Sequence, residues 1–113
     1  MYKEKRPWGQ FENLLEADYC KVKRITVQPG HRLSYQYHNH RSEVWTVVQG
    51  TATVTLDSLV SNVGAGNVVE IPKGMHHRVE NKGSDTLIFI EVQHGTYFGE
   101  DDIVRLSDDY HRS

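Results

Sequence analysis

Cysteine is almost absent from this sequence of 113 residues, proline is scarce, and there is no long apolar run. The single cysteine, Cys20, excludes a disulfide framework and any zinc site built of thiolates alone. No apolar run approaches the roughly 20 residues that a membrane-spanning helix needs. The first ten residues are charged and contain no apolar signal segment, so we expect a cytoplasmic protein.

An excess of charge of one sign is also lacking. The formal net charge of -2 at pH 7 provides no basic field for a nucleic-acid backbone or an anionic membrane surface, so we expect neither partner. A hydrophobic share of 37% and a charged share of 25% are typical of a globular protein, and the length predicts one domain over residues 1–113. Histidine is the abundant exception, with 7 residues.

Short apolar segments that often alternate, punctuated by Gly and Asn, predict many short strands and few helices. The predicted strands cover residues 20–28, 32–39, 43–49, 51–57, 67–71, 76–81 and 86–93. This spacing predicts an all-β fold, a small antiparallel barrel of the jelly-roll kind.

Both ends of the chain are expected to add to this barrel. Trp8, Phe11, Leu14 and Leu15 predict an amino-terminal arm that packs across the barrel or across a neighbouring subunit. The segment from Gly99 to Tyr110 predicts a short helical turn, because acidic residues near a helix start are favourable.

The strand around residues 33–40 has two contrasting faces. One face is apolar and the other polar: Leu33, Tyr35 and Tyr37 against Ser34, Gln36, His38 and His40. The polar face either meets water or lines a pocket inside the barrel. Other strands favour the pocket, because they place a polar side chain on an otherwise apolar face. These polar side chains are Lys23, Glu43, Glu91 and Gln93.

Four of the polar residues have the types and the spacing of a metal site. Gln36 and His38 point the same way from one strand, a turn returns Glu43 toward them, and His77 follows the turn at residues 72–74. Two imidazole nitrogens and two oxygens suit one divalent ion, foremost zinc, with manganese, cobalt or iron as alternatives. The segments 30–50 and 66–81 match both motifs of the cupin family, except that Gln36 stands where the first histidine usually is.

Two further histidines lie beside this set. His40 shares the face of His38, and could be a ligand in place of Gln36, a contact to substrate or a turn residue. His76 has the opposite strand parity from His77, so we do not expect it to be a ligand.

Beyond the cupin motifs, the chain resembles the cupin domain of type II phosphomannose isomerases over nearly its whole length. The matching runs are Arg6-Pro7-Trp8-Gly9, Gln36-x-His38-x-His40-Arg41-x-Glu43-x-Trp45, Ile71-Pro72-x-Gly74-x-x-His77-Arg78-x-x-Asn81, Ile90-Glu91-Val92-Gln93 and Gly99-Glu100-Asp101-Asp102-Ile103-Val104-Arg105. In that family the domain is commonly fused behind a mannose-1-phosphate guanylyltransferase domain, and we expect this chain to be the cupin domain alone. His111 departs from the glycine that the family usually has there.

The resemblance implies interconversion of mannose 6-phosphate and fructose 6-phosphate through a cis-enediol. A metal held by Gln36, His38, Glu43 and His77 would stabilise the charge that develops on the sugar oxygens. Glu91 and His40 are the candidates for the base, and Lys23 for polarising a hydroxyl. The candidates for binding the phosphate are the guanidinium groups of Arg41, Arg78 and Arg105.

Two other functions are compatible with the same pocket. One is a non-catalytic cupin that binds a metal and a sugar or sugar phosphate. The other is an iron-dependent cupin oxygenase, against which Gln36 argues. We also expect a homodimer that covers the outward face formed by Leu33, Tyr35, Tyr37, Val44 and Val48.

Overall fold

The computed structural model describes residues 2–110, so His111 lies outside the described residues. This part of the chain contains eleven strands and no helix. The strands are β1 (Tyr2–Arg6), β2 (Gly9–Glu16), β3 (Lys21–Val27), β4 (Tyr35–Tyr37), β5 (Arg41–Gln49), β6 (Thr51–Leu56), β7 (Leu59–Gly64), β8 (Val68–Ile71), β9 (His77–Glu80), β10 (Leu87–Gly95) and β11 (Val104–Ser107).

The strands form two antiparallel sheets. One sheet has the order β1-β2-β3-β10-β5-β8, and the other has the order β11-β4-β9-β6-β7. Every predicted strand is present, although the one predicted at 32–39 is reduced to Tyr35–Tyr37 and an isolated bridge at Arg32. The all-β, jelly-roll-like prediction is therefore confirmed.

The core lies between the two sheets, where each strand contributes one of its faces. Along β3, for example, Ile25 and Val27 are buried on the same face as Lys21 and Lys23. The buried apolar residues are Trp8, Phe11, Ile25, Val27, Trp45, Val47, Ala52, Val54, Val69, Ile71, Val79, Leu87 and Phe89.

The strand register collects the polar inward residues at one end of this core. Lys23 of β3 pairs with Glu91 of β10, and Glu43 of β5 pairs with Gln93 of β10. At the other end of β10, Leu87 pairs with Val27. Each of these strands is therefore apolar inside at one end and polar inside at the other, which creates a polar pocket in an otherwise apolar sandwich.

The predicted amino-terminal arm is a hairpin, β1–β2, that extends the six-stranded sheet. Trp8 and Phe11 belong to the core, whereas Leu14 and Leu15 are exposed. Gly9 permits the close approach of β2 to β3, since a Cβ atom there would lie 2.0 Å from the carbonyl oxygen of Thr26.

The predicted helical turn near the carboxyl end is wrong. A single turn, closed by the hydrogen bond from the Asp102 N–H to the Gly99 carbonyl, leads into β11, which pairs with β4. The acidic residues that suggested a helix start have other partners. Glu100 binds Lys21 and Lys23, and Asp102 accepts backbone N–H groups from the loop after β4.

Strand β7, which forms a hairpin with β6, was not predicted from the sequence. Its two-residue turn, Asp57–Ser58, has positive φ angles of 44° and 78°. Such angles are typical of the tight turns that join antiparallel strands. Because the segment after this turn is exposed and does not alternate, it carried little strand signal.

The outward face that we expected to be covered in a dimer is not one surface. Tyr35 and Tyr37 lie in the five-stranded sheet, whereas Val44 and Val48 lie in the six-stranded sheet. The outer faces of two packed sheets point in opposite directions, and Leu33 lines the pocket. This part of the prediction is wrong, and the homodimer itself stays a prediction.

Among residues 2–110, no helix has the length and apolar character needed to cross a membrane.

Candidate metal centre and active site

Three of the four predicted metal ligands come together inside the barrel. His38, Glu43 and His77 each offer a ligand atom, and these atoms all lie within 4.8 Å of one another. His38 Nε2 lies 3.2 Å from Glu43 Oε2, and all three residues are buried. These groups are compact enough to bind one divalent ion between them.

Gln36, the fourth predicted ligand, lies beside this group. It is buried, it lines the same pocket, and it pairs with His77 across β4 and β9. Its Oε1 atom accepts a hydrogen bond of 3.3 Å from the Ser34 hydroxyl. This bond holds the amide oxygen inside the barrel.

Backbone carbonyls orient both imidazole rings. His38 Nδ1 lies 2.6 Å from the Asp102 carbonyl oxygen, and His77 Nδ1 lies 3.0 Å from the Met75 carbonyl oxygen. A carbonyl oxygen can only accept, so each Nδ1 carries the proton and each Nε2 has a lone pair in the plane of the ring. The Nε2 atom of His77 is buried, and within the described residues it has no hydrogen-bond partner. A buried nitrogen lone pair without a partner fits a metal ligand.

Glu43 is held in place by two donors. Trp45 Nε1 donates to Oε1 at 2.9 Å, and Arg41 Nε donates to Oε2 at 2.8 Å. Burial is the largest single effect and by itself would raise the pKa of this carboxyl, but Arg41, His38 and His77 together outweigh it and hold the pKa well below its usual range. Glu43 is therefore a carboxylate at neutral pH.

The two histidines are neutral. Burial lowers the pKa of His38 to about 4, with Arg41 and His77 acting in the same direction and Glu43 opposing them. Burial also lowers the pKa of His77. Neutral imidazoles and a carboxylate are the protonation states that bind a divalent ion.

The pKa of Glu91 is shifted in the direction opposite to that of Glu43. Burial and the negative charge of Glu43 raise the pKa of Glu91 to about 8. Gln93, which is fully buried, donates from Nε2 to Glu91 Oε2 at 2.7 Å. A carboxyl group that titrates near neutral pH can both accept and return a proton during a reaction.

Lys23 brings a buried positive charge next to Glu91. Its Nζ atom lies 2.6 Å from Glu100 Oε2 and 4.1 Å from the centre of the Phe11 ring. Lys21 binds the same Glu100 oxygen at 3.0 Å. The edge of the pocket is therefore cationic, although Glu100 offsets part of that charge.

Comparison with known proteins fits this arrangement. A family sequence model described as "Mannose-6-phosphate isomerase C-terminal" matches residues 2–108. The chain belongs to this family. A mannose-1-phosphate guanylyltransferase from Escherichia coli (strain K12) is 48% identical to this isomerase-family domain over 107 residues. The match covers 95% of the chain and 22% of the relative, so the chain spans about a fifth of that curated protein.

Solved structures show the same fold. A protein with a double-stranded β-helix domain from Klebsiella pneumoniae matches with a TM-score of 0.74 and 24% identity, over 85% of this chain and 77% of that one. A cupin barrel protein from Salinispora arenicola matches with a TM-score of 0.68 and 22% identity, over 75% and 74% of the two chains. The isomerase-family domain thus has the cupin fold.

Two predicted site residues lie away from the metal group. His40 is exposed and packs its ring edge against Tyr97 outside the barrel. Arg78 lies on the outward face of β9, and its guanidinium donates to the carbonyl oxygens of Leu33 and Ser107. The structure therefore does not bring His40 or Arg78 to the pocket.

Apart from His77, whose ring packs against that of His38, the other predicted residues line the pocket. Several residues with no predicted role line it as well. Arg105 enters from β11, next to Gln36 in the strand register. The pocket-lining residues without a predicted role are Arg6, Trp8, Phe11, Ile25, Leu33, Ser34, Trp45, Glu100 and Ile103. Arg6 and Trp8 belong to a run that carried the family resemblance, and Trp8 was also part of the predicted amino-terminal arm.

Proposed function

We propose that this domain is a metal-dependent isomerase that interconverts mannose 6-phosphate and fructose 6-phosphate. The observation that carries the proposal is the meeting, at one pocket, of a metal-binding group and a second buried carboxyl. His38, Glu43 and His77 form the first, and Glu91 is the second. The family description also supports it.

The ion would be held by His38, Glu43 and His77, with the amide oxygen of Gln36 beside them. When bound, it would act as a Lewis acid for the sugar oxygens on which negative charge develops. Neutral imidazole nitrogens with oxygen ligands suit zinc, our first choice, and also manganese, cobalt or iron.

Glu91 would move the proton between C1 and C2. The sugar loses a proton from the carbon next to its carbonyl and becomes a cis-enediolate. The proton of the neighbouring hydroxyl passes to the former carbonyl oxygen, and Glu91 returns its proton to the adjacent carbon. One base can perform both transfers if its pKa lies near the working pH. Gln93 fixes one oxygen of Glu91, which aims the carboxyl into the pocket.

Cationic side chains would bind the hydroxyl and phosphate groups. Lys23, next to Glu91 in the strand register, would polarise a sugar hydroxyl. Arg105 and Arg6 line the pocket, and a guanidinium matches the geometry of a phosphate. Arg6 thus replaces Arg78 among the proposed phosphate contacts.

Turnover tests the proposal. Metal-loaded protein is incubated with mannose 6-phosphate, and fructose 6-phosphate is measured against a chelator-treated control. Formation of fructose 6-phosphate by the metal-loaded protein, but not by Glu91→Gln, would support the isomerase. Tight metal uptake without turnover of this sugar would contradict it and would favour a binding cupin.

A further inference from the structure

Arg41 makes hydrogen bonds to the atoms that a metal ion would need. Its Nε donates to Glu43 Oε2 at 2.8 Å, and its Nη2 lies 3.3 Å from His38 Nε2. We propose that Arg41 competes with the metal ion for Glu43 and His38, and that a sugar phosphate strengthens metal binding by attracting this guanidinium away. The inference rests on the metal site of the proposed function.

The competition follows from the lone pairs involved. His38 donates its Nδ1 proton to the Asp102 carbonyl, so Nε2 has a single lone pair in the plane of the ring. That lone pair accepts a hydrogen bond from Arg41 or binds an ion, but not both. Arg41 must therefore leave His38 before this nitrogen can become a ligand.

Charge leads to the same conclusion. Arg41 is buried, and it neutralises the buried carboxylate of Glu43. An ion at Glu43 would take over this role and would repel the guanidinium at close range. The displaced guanidinium then needs another anion, since a buried charge without a partner is costly.

A sugar phosphate is well suited to be that anion. Arg41 begins β5 and lines the pocket beside Lys23 and Arg105, so its long side chain can turn toward the cavity without movement of the strand. A phosphate accepts both N–H groups of a guanidinium in a forked pair. Each ligand therefore favours the other, and this coupling must be equal in both directions.

Metal affinity tests the proposal without reference to turnover. Cobalt(II) is titrated into chelator-treated full-length protein and followed by visible absorption, with and without mannose 6-phosphate; mannose is the uncharged control. The variants are Arg41→Gln, which removes the competitor, and Arg41→Lys, which keeps the charge but not the fork. Arg105→Gln is the matched control, because it removes a guanidinium of the same pocket from another strand, β11.

We expect Arg41→Gln to bind cobalt about tenfold or more tightly than the wild type without sugar phosphate, with Arg41→Lys in between. Mannose 6-phosphate should tighten cobalt binding to the wild type about fivefold or more, and mannose should not. This effect should vanish in Arg41→Gln and persist in part in Arg105→Gln.

If a folded Arg41→Gln variant binds cobalt no more tightly than the wild type, the proposed competition is wrong. It is also wrong if Arg41→Gln and Arg105→Gln increase the cobalt affinity equally. A full effect of mannose 6-phosphate in Arg41→Gln would overturn the coupling. Failure of every variant to bind cobalt would overturn both this inference and the proposed metal site. If the cobalt affinities are as expected but no variant or wild type converts the sugar, the competition is supported and only the isomerase proposal is contradicted.

Discussion

His38 Nδ1 lies 2.6 Å from the carbonyl oxygen of Asp102, a residue 64 positions further along the chain. The Asp102 carboxylate also accepts the N–H groups of Asn39 and His40, each at 2.9 Å. Although burial opposes it, these two donors hold the pKa of the Asp102 carboxyl below its usual range. One residue thus fixes both the His38 ring and the loop that follows it.

Asp102→Asn should weaken zinc binding by about tenfold, because partners that orient a ligand contribute to metal affinity. Its amide nitrogen cannot accept an N–H bond, so the loop after His38 loses part of its anchor. Calorimetric titration of zinc measures the loss. Asp101→Asn, a change at the exposed neighbouring position, is the control, and equal affinities of the two variants would contradict the role of Asp102.

Glu91→Gln should lower kcat by about 10² to 10⁴, the usual contribution of a general base. Zinc affinity should change little, because Glu91 is not among the proposed ligands. In deuterium oxide, the wild type should place deuterium on the sugar carbon that receives the proton. Full turnover by Glu91→Gln would exclude this carboxyl as the base.

The ion pairs of Glu100 should make the free energy of unfolding depend on pH. Burial opposes the shift, but Lys23 and Lys21 lower the pKa of Glu100 to about 2. A carboxyl with a lowered pKa stabilises the fold above its unfolded pKa, near 4.5, and this contribution is lost as pH falls toward 2. The side chain is 43% exposed, so solvent screening reduces the contribution to about 1 kcal/mol.

Glu100→Gln should therefore be less stable than the wild type at pH 7 by about 1 kcal/mol, with the difference shrinking as pH falls below 4.5. Urea unfolding at a series of pH values measures it. A difference independent of pH would show that the charge of Glu100 is not responsible.

The close approach between β10 and the start of β5 depends on the missing side chain of Gly95. A Cβ atom there would lie 2.3 Å from the His40 carbonyl oxygen, and φ is +152°. Gly95→Ala should destabilise the fold by about 2 kcal/mol or more. Gly64→Ala is the control, because a Cβ atom there meets nothing within 4 Å, and it should change the free energy of unfolding by no more than about 0.5 kcal/mol. Equal destabilisation of the two variants in thermal unfolding would contradict the role of Gly95.

The homodimer remains a prediction, and the outer face of the six-stranded sheet is its strongest candidate surface. Val22, Val44, Ile90 and Val92 lie there, half-buried. Light scattering should give about twice the mass of one chain, and Ile90→Lys should give a monomer, since a charge within an apolar interface is costly. A monomeric wild type at micromolar concentration would contradict the dimer.

Much of the pocket could be predicted because strand parity determines which face a side chain occupies. Glu43, Glu91 and Lys23 were placed inside on this ground, and the structure has all of them there. Parity failed for His40 because β4 ends at Tyr37, and in the turn beyond it side chains no longer alternate. Arg78 directly follows His77, which faces inward, so strand parity turns Arg78 outward.

Other residues depended on contacts between distant parts of the chain. Arg6 reaches the pocket because β1 pairs with β2, and the amino-terminal segment was predicted as an arm. Arg105 lies on a strand where acidic residues suggested a helix. The ion pair of Arg41 with Glu43 needed the fold as well, because side chains two residues apart share a face without having to touch.

The most direct test of the account measures isomerase activity against bound metal. Chelator-treated protein receives zinc, manganese, cobalt or iron in increasing amounts, and conversion of mannose 6-phosphate to fructose 6-phosphate is followed at each step. We expect activity that rises in proportion to bound ion, levels off near one ion per chain, and is absent from Glu43→Ala. Full activity in the metal-free protein, or in Glu43→Ala, would contradict it.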